Sequence, residues 1–122
     1  MRIVKTIQFD AAHFIDDATA AKAGRPYARM HGHSFTLEVE IAGTPDGAHG
    51  WVVDFGDVGQ ALDELREQLD HRLLNEIDGL DVPTLENICL WAAGQLQPVF
   101  PGLRRVSVMR PSNGEACHYD VV

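Results

Sequence analysis

From Ser34 to Ile41 apolar and polar residues alternate without a break, with Phe35, Leu37, Val39 and Ile41 in one set and Ser34, Thr36, Glu38 and Glu40 in the other. A period of two sends successive side chains to opposite faces of a strand. The segment therefore predicts a β-strand over His33–Ala42 with one face for a core and one for solvent. A one-sided strand of this kind needs antiparallel neighbours and a covering layer. Arg2–Ala11 offers the first neighbour, with Ile3, Ile7 and Phe9 on one face and Val4 on the other. Arg104–Met109 and Ala116–Val122 offer two more, separated by the turn residues Pro111-Ser112-Asn113-Gly114.

The covering layer is helical. Val58, Ala61, Leu62, Leu65 and Leu69 fall at helical spacing, predicting a helix over about Asp57–Leu69 capped by Asp54 or Asp57. A second helix begins at Pro83-Thr84, with Thr84 as N-cap, Glu86 in the first turn, and a stripe of Ile88, Trp91, Ala92 and Leu96. The expectation is one α+β domain spanning residues 1–122, an antiparallel sheet with two helices on one face. The long connection from Phe14 to Met30 lacks apolar periodicity, and a loop of that length in a compact domain is commonly functional.

Charge and composition narrow the partners. The 18 acidic residues outnumber the 10 basic ones, a net charge of −8, which argues against nucleic acid, whose phosphates demand a basic face. A small anion in a local basic pocket remains compatible, and Lys5, Lys22, Arg25, Arg29 and Arg110 could supply one, though scattered bases commonly belong to solvated surface. No stretch approaches the roughly 18 apolar residues of a membrane span. The first residues alternate instead of forming a signal-peptide core, so the cytoplasm is the expected location. Cys89 and Cys117 are far apart in sequence and form no Cys-x-x-Cys unit, so a disulfide framework is not expected.

The strongest chemical signal is His31-Gly32-His33 at the start of the alternating strand. Residues two apart share a strand face, so both imidazoles can reach one point, and His13 at the end of the first strand supplies a third. Three protein ligands with an open fourth position is the usual form of a catalytic zinc site. Taken alone, the His-x-His spacing also fits solvated polarity at a strand end.

Five motifs occur in order: Phe9-x-Ala11-Ala12-His13, His31-Gly32-His33, Val53-Asp54-Phe55, Leu69-Asp70-His71-x-x-Leu74-Asn75 and Pro83-Thr84-x-Glu86-Asn87. In this order and spacing the chain resembles the 6-pyruvoyl-tetrahydropterin synthase and 6-carboxy-tetrahydropterin synthase family. The bacterial carboxy-type enzymes of queuosine biosynthesis are the nearer match in length and in Gly50-Trp51-Val52-Val53-Asp54-Phe55. The resemblance implies the tunnelling fold (T-fold), a four-stranded antiparallel sheet with two helices between strands 2 and 3. It implies homo-oligomers, trimers stacked into hexamers, with active sites at subunit interfaces. It makes His13, His31 and His33 zinc ligands, and Asp70 and His71 a proton relay. The same pair would equally suit a helix C-terminus. The implied substrate is dihydroneopterin triphosphate or a related pterin-like heterocycle, and the implied class is a zinc-dependent carbon–oxygen or carbon–carbon lyase.

Two departures accompany the resemblance. The family's catalytic cysteine lies four residues before the first histidine of His-Gly-His, where this chain has Tyr27. A phenol, ordinarily near pKa 10, is a poorer base than a thiol near 8.5, by roughly 2 kcal/mol of deprotonation cost. Tyr27 therefore suits proton donation in a retro-aldol cleavage, or simple packing over the pocket. The family's pterin-anchoring glutamate, at the end of strand 3, aligns with Pro111, which offers no carboxylate. Glu86, with Thr84 beside it, and Glu115 in the following turn are the remaining candidates for substrate contacts; Glu86 also suits the helix dipole. A non-catalytic zinc- and ligand-binding homologue that keeps the scaffold is the competing expectation.

Overall fold

A computed structural model describes residues 1–16 and 24–121. Four strands, β1 (Arg2–His13), β2 (His31–Ala42), β3 (Leu103–Arg110) and β4 (Glu115–Asp120), form one antiparallel sheet in the order β1-β2-β3-β4. Helices α1 (Phe55–Leu69) and α2 (Leu85–Leu96) lie between β2 and β3 in sequence. Both cover the same sheet face, α1 over β1 and α2 over β3 and β4. This is the α+β fold expected from the alternation.

The alternating pattern decides which face is covered. Phe35, Leu37, Val39 and Ile41 are buried under the helices, whereas Ser34 is exposed and Thr36, Glu38 and Glu40 are only half-buried. Phe9 stacks on Phe35 across the β1–β2 pair, ring centroids 5.0 Å apart. Val58, Leu62, Leu65 and Leu69 of α1 and Ile88, Ala92 and Leu96 of α2 complete the core. On the uncovered face charge replaces apolar packing: Arg2 meets Glu40 at 3.2 Å, and Arg105 bridges Glu40 at 3.7 Å and Asp120 at 2.7 Å.

Helix starts follow the capping chemistry. Asp54, not Asp57, caps α1 by accepting from Gly56 N, so the helix begins at Phe55, two residues before the expected start at Asp57. Thr84 caps α2 by accepting from Asn87 N at 3.2 Å. β1 and β2 both extend to include the histidines, because His13 pairs with His31 and Ala11 with His33 in the sheet register. Of the loop from Phe14 to Met30, residues 17–23 (with Lys22) lie outside the described residues; Pro26–Ala28 forms a single 3-10 turn. No described helix is long and apolar enough to cross a membrane.

Candidate metal centre and flanking clefts

The register places His13, His31 and His33 on the helix-covered face where β1 ends and β2 begins. Their rings sit edge to face, with centroids 4.7 Å apart for His13–His31, 5.1 Å for His13–His33 and 4.7 Å for His31–His33. Their ligand atoms all lie within 4.8 Å of one another. His13 Nδ1 is 2.9 Å from the Pro83 carbonyl, and His31 Nδ1 is 2.5 Å from the Arg29 carbonyl. A ring nitrogen beside a carbonyl must donate, which leaves the other nitrogen with a free lone pair, the arrangement found behind metal-ligating histidines.

The fit to a metal rests on two atoms. His13 Nε2 and His33 Nε2 are buried and have no hydrogen-bond partner. A buried polar atom left unpaired is costly, and a cation would satisfy both. Burial lowers the pKa of His13 to about 4, the Pro83 hydrogen bond working against it and His31, His33 and Arg110 adding to it. Burial likewise lowers His33, followed by the charge of Arg110. Both rings are therefore held neutral at pH 7, the form that ligates metal.

Long-range contacts hold this centre in place. Asn75 clamps the residue after His13, accepting from Phe14 N at 3.0 Å and donating to Phe14 O at 2.9 Å. Asn87 Nδ2 donates to Val82 O at 2.8 Å, fixing the turn that presents the Pro83 carbonyl to His13. The motifs around Asn75 and Pro83 thus serve the histidines directly.

Two clefts share the triad. The first, about 320 Å³, is lined by His13, Ile15, Tyr27, Thr84, Leu85, Glu86 and Arg110. Tyr27 reaches it from the 3-10 turn of Pro26–Ala28, tied down because its carbonyl accepts from Ile15 N at 2.8 Å. Thr84 and Glu86 come from the first turn of α2. The second cleft, about 570 Å³, is lined by Asp10, Ala11, Ala12, Gly32, His33, Ser34, His71, Arg72 and Leu73. Ser34 donates to Asp10 here, a pair the sequence did not mark as functional.

His71 lines the second cleft, and Asp70 beside it holds it in place. Asp70 closes α1, and its carboxylate accepts from Asp10 N at 2.9 Å and lies 3.0 Å from His71 Nδ1. Those contacts lower its pKa, the Asp10 N–H first and His71 after it. His71 is the only described non-glycine residue in the left-handed region, φ 59°, and its N–H donates to Asp10 O at 2.6 Å. Ala12 N donates to Arg72 O at 2.9 Å, so residues 70–72 block the free edge of β1 beside the triad. A strained, exposed histidine held against a carboxylate is characteristic of functional positions.

The structure does not bring Asp70 and His71 into the cleft that holds Tyr27. It also moves the strand 3 position: Pro111 is exposed and opens the turn of Pro111–Asn113, and the side chain that lines the cleft is that of its neighbour Arg110. Glu115, at the start of β4, lies 3.0 Å from Arg110 Nε and does not itself line the cleft. The two cysteines, distant in sequence, meet between α2 and β4, where Cys89 Sγ lies 3.6 Å from Cys117 O. Both are free, and burial, with Cys117 next, pushes the Cys89 thiol up to about 12. Neither lines either cleft.

The sequence pattern of 6-pyruvoyl tetrahydropterin synthase matches residues 2–121. The chain belongs to this family. Among curated relatives of this pterin synthase family member, a dihydroneopterin monophosphate aldolase of Pyrococcus furiosus is 38% identical over 110 residues, covering 88% of this chain and 87% of the relative. A 6-carboxy-5,6,7,8-tetrahydropterin synthase of Synechocystis is 33% identical over 123 residues, covering 96% and 92%. In fold, the chain matches the 6-pyruvoyl tetrahydropterin synthase structure of Caenorhabditis elegans with a TM-score of 0.85, covering 100% of this chain and 96% of that one at 22% identity. The tunnelling fold expected from the ordered motifs is thereby shown.

Proposed function

We propose that the protein is a zinc-dependent pterin lyase that breaks a carbon–carbon bond in the side chain of a dihydroneopterin. The observation that carries the choice of bond is Tyr27, which lines the cleft beside His13 where a thiol-using synthase would need a cysteine. The similarity to an aldolase over most of the chain supports the same reading. Zinc held by His13, His31 and His33 would supply Lewis acidity to neighbouring side-chain hydroxyls, lowering the cost of their ionisation.

The protein's own groups would then move two protons. Asp70 orients His71, whose imidazole takes the proton of the side chain's second hydroxyl. The oxygen's electron pair forms a C=O at that carbon, and the bond to the first side-chain carbon breaks. Its electrons pass into the conjugated ring imine, and the Tyr27 phenol returns a proton to the first carbon. The products are a hydroxymethyl dihydropterin and a two-carbon aldehyde, with no net redox change. Glu86 and Thr84 at the start of α2 bind the ring, the carboxylate accepting from its N–H groups. Because Tyr27 and His71 line different clefts, the working form is a homo-oligomer, trimer or hexamer, with each site completed at a subunit boundary. It acts in the cytoplasm on a soluble small molecule.

The test is product analysis by chromatography with zinc-loaded protein and dihydroneopterin or its phosphates. Equal amounts of shortened pterin and two-carbon aldehyde are expected. A pyruvoyl or carboxy product with phosphate release would replace the aldol reading with the synthase reaction. Stoichiometric zinc without any turnover would leave a ligand-binding homologue.

A further inference from the structure

Cys89 of α2 and Cys117 of β4 are nucleophilic groups that the lyase chemistry does not use. Cys89 points from the buried side of α2 onto the β3–β4 pair, where its thiol donates to the Cys117 carbonyl at 3.6 Å. Val108 and Cys117 are partners in that register, and the Cys117 side chain packs against the core under the helices. The two thiols lie side by side, within hydrogen-bonding reach of each other. Their surroundings differ: Cys89 is fully buried and held protonated, whereas Cys117 is only partly buried. Glu86 precedes Cys89 by three residues, one helical turn on the same face, and its charge reaches the thiol. Glu115 shares a strand face with Cys117 and lies 3.0 Å from Arg110, which lines the Tyr27 cleft. The dithiol thus joins the two elements that carry Glu86 on one side and the Arg110–Glu115 pair on the other.

We propose that Cys89 and Cys117 form a redox modification site, in which a hydroperoxide closes a reversible disulfide between α2 and β4 and so weakens ring binding by Glu86. The second half rests on the reading in which Glu86 binds the ring. Both cysteines are free thiols in the structure. The more accessible sulfur, that of Cys117, attacks the hydroperoxide; the O–O bond breaks, an alcohol leaves, and Cys117 becomes a sulfenic acid. The Cys89 sulfur then displaces the hydroxyl, which leaves as water with the Cys89 proton. In sum two thiol hydrogens and two electrons pass to the hydroperoxide, which is reduced to alcohol and water. Closing the bond draws the sulfurs from contact to covalent distance, so α2 and β4 must shift against a close-packed core. Glu86, one turn from Cys89, moves with the helix, and a small misplacement of a binding group is enough to weaken its hydrogen bond.

The test treats zinc-loaded protein with tert-butyl hydroperoxide and reads intact mass, then affinity for neopterin by fluorescence titration. The oxidised chain should be lighter by two hydrogens, with a peptide map joining Cys89 to Cys117, and dithiothreitol should restore the starting mass. Its Kd for neopterin should rise about tenfold, the weakening of one charge-assisted hydrogen bond, and return on reduction. Cys117→Ser should form no link, bind neopterin like the reduced wild type and keep that affinity after peroxide. Cys89→Ala provides the same control should the serine disturb β4. Thiols that stay reduced, sulfurs that only gain oxygen, or links formed only between chains would overturn the site and leave the pair as core packing. A disulfide that forms with neopterin affinity unchanged would overturn the coupling to the cleft. Neopterin bound by neither form would sink the ring-binding reading and the coupling together, while the mass still decides the disulfide.

Discussion

The two clefts that flank the histidine triad are built differently. The Tyr27 cleft is assembled from four separate parts of the chain: the end of β1, the 3-10 turn of Pro26–Ala28, the first turn of α2 and the end of β3. Its walls include apolar Ile15 and Leu85, and its polar groups face inward as single side chains. The His71 cleft is built on paired backbone, where residues 70–72 lie against the edge of β1 through three backbone-anchored hydrogen bonds. One arrangement suits recognition, in which separate groups each read a feature of a ligand. The other suits proton transfer, which needs a rigidly oriented imidazole. The triad belongs to both, with His13 in one cleft and His33 in the other.

Mutations should separate the clefts in order of effect. His31→Ala removes a ligand from the shared centre, and both turnover and bound zinc should fall, turnover by about a thousandfold or more, measured by kinetics and metal analysis. Retained stoichiometric zinc in that variant would break the link between the clefts. Asp70→Asn should lower kcat by about 10²–10⁴ with zinc content and KM nearly unchanged, because only the relay is altered. Tyr27→Phe should lower kcat by about 10², and a change confined to KM would assign the ring to packing instead.

Acid should act on the shared centre without metal. Folding depresses the pKa of His13 from 6.5 to about 4. Above pH 6.5 the ring is neutral in both folded and unfolded chains, and no stability is lost. As pH falls from 6.5 toward 4 only the unfolded chain takes up the proton, so the metal-free protein should lose up to about 3 kcal/mol, followed by denaturant melts. A flat stability profile across that window would contradict the burial argument. Smallest of all, Thr84→Ala removes the α2 cap and should cost about 1 kcal/mol in the same melts while leaving zinc bound.

The sequence made the strands and helices legible because one face of each is buried and the other is not. It misplaced their ends where pairing, not local pattern, decides them. β1 runs on through Ala12 and His13 because Gly32 and His31 pair with them, and no alternation marks those residues. The histidine triad was legible from His31-Gly32-His33 with His13. The carbonyls that orient it were not, since Pro83 lies 70 residues from His13. Asn75 is likewise 61 residues from the Phe14 backbone it clamps. At the end of β3 the family pattern aligns its anchoring glutamate with Pro111, which offers no carboxylate, and the side chain that lines the cleft is that of Arg110; a shift of one residue in a strand moves a side chain to the other face. Arg110 had been visible only as one of five scattered cations.

The proposed lyase would hold zinc on His13, His31 and His33 and cleave the side chain of a dihydroneopterin between two carbons. Quantifying both products from dihydroneopterin monophosphate and zinc-loaded protein tests it most directly. One equivalent of hydroxymethyl dihydropterin for each equivalent of two-carbon aldehyde phosphate, lost together in His31→Ala, is the predicted result. Release of free phosphate with an intact three-carbon side chain on the pterin would contradict it.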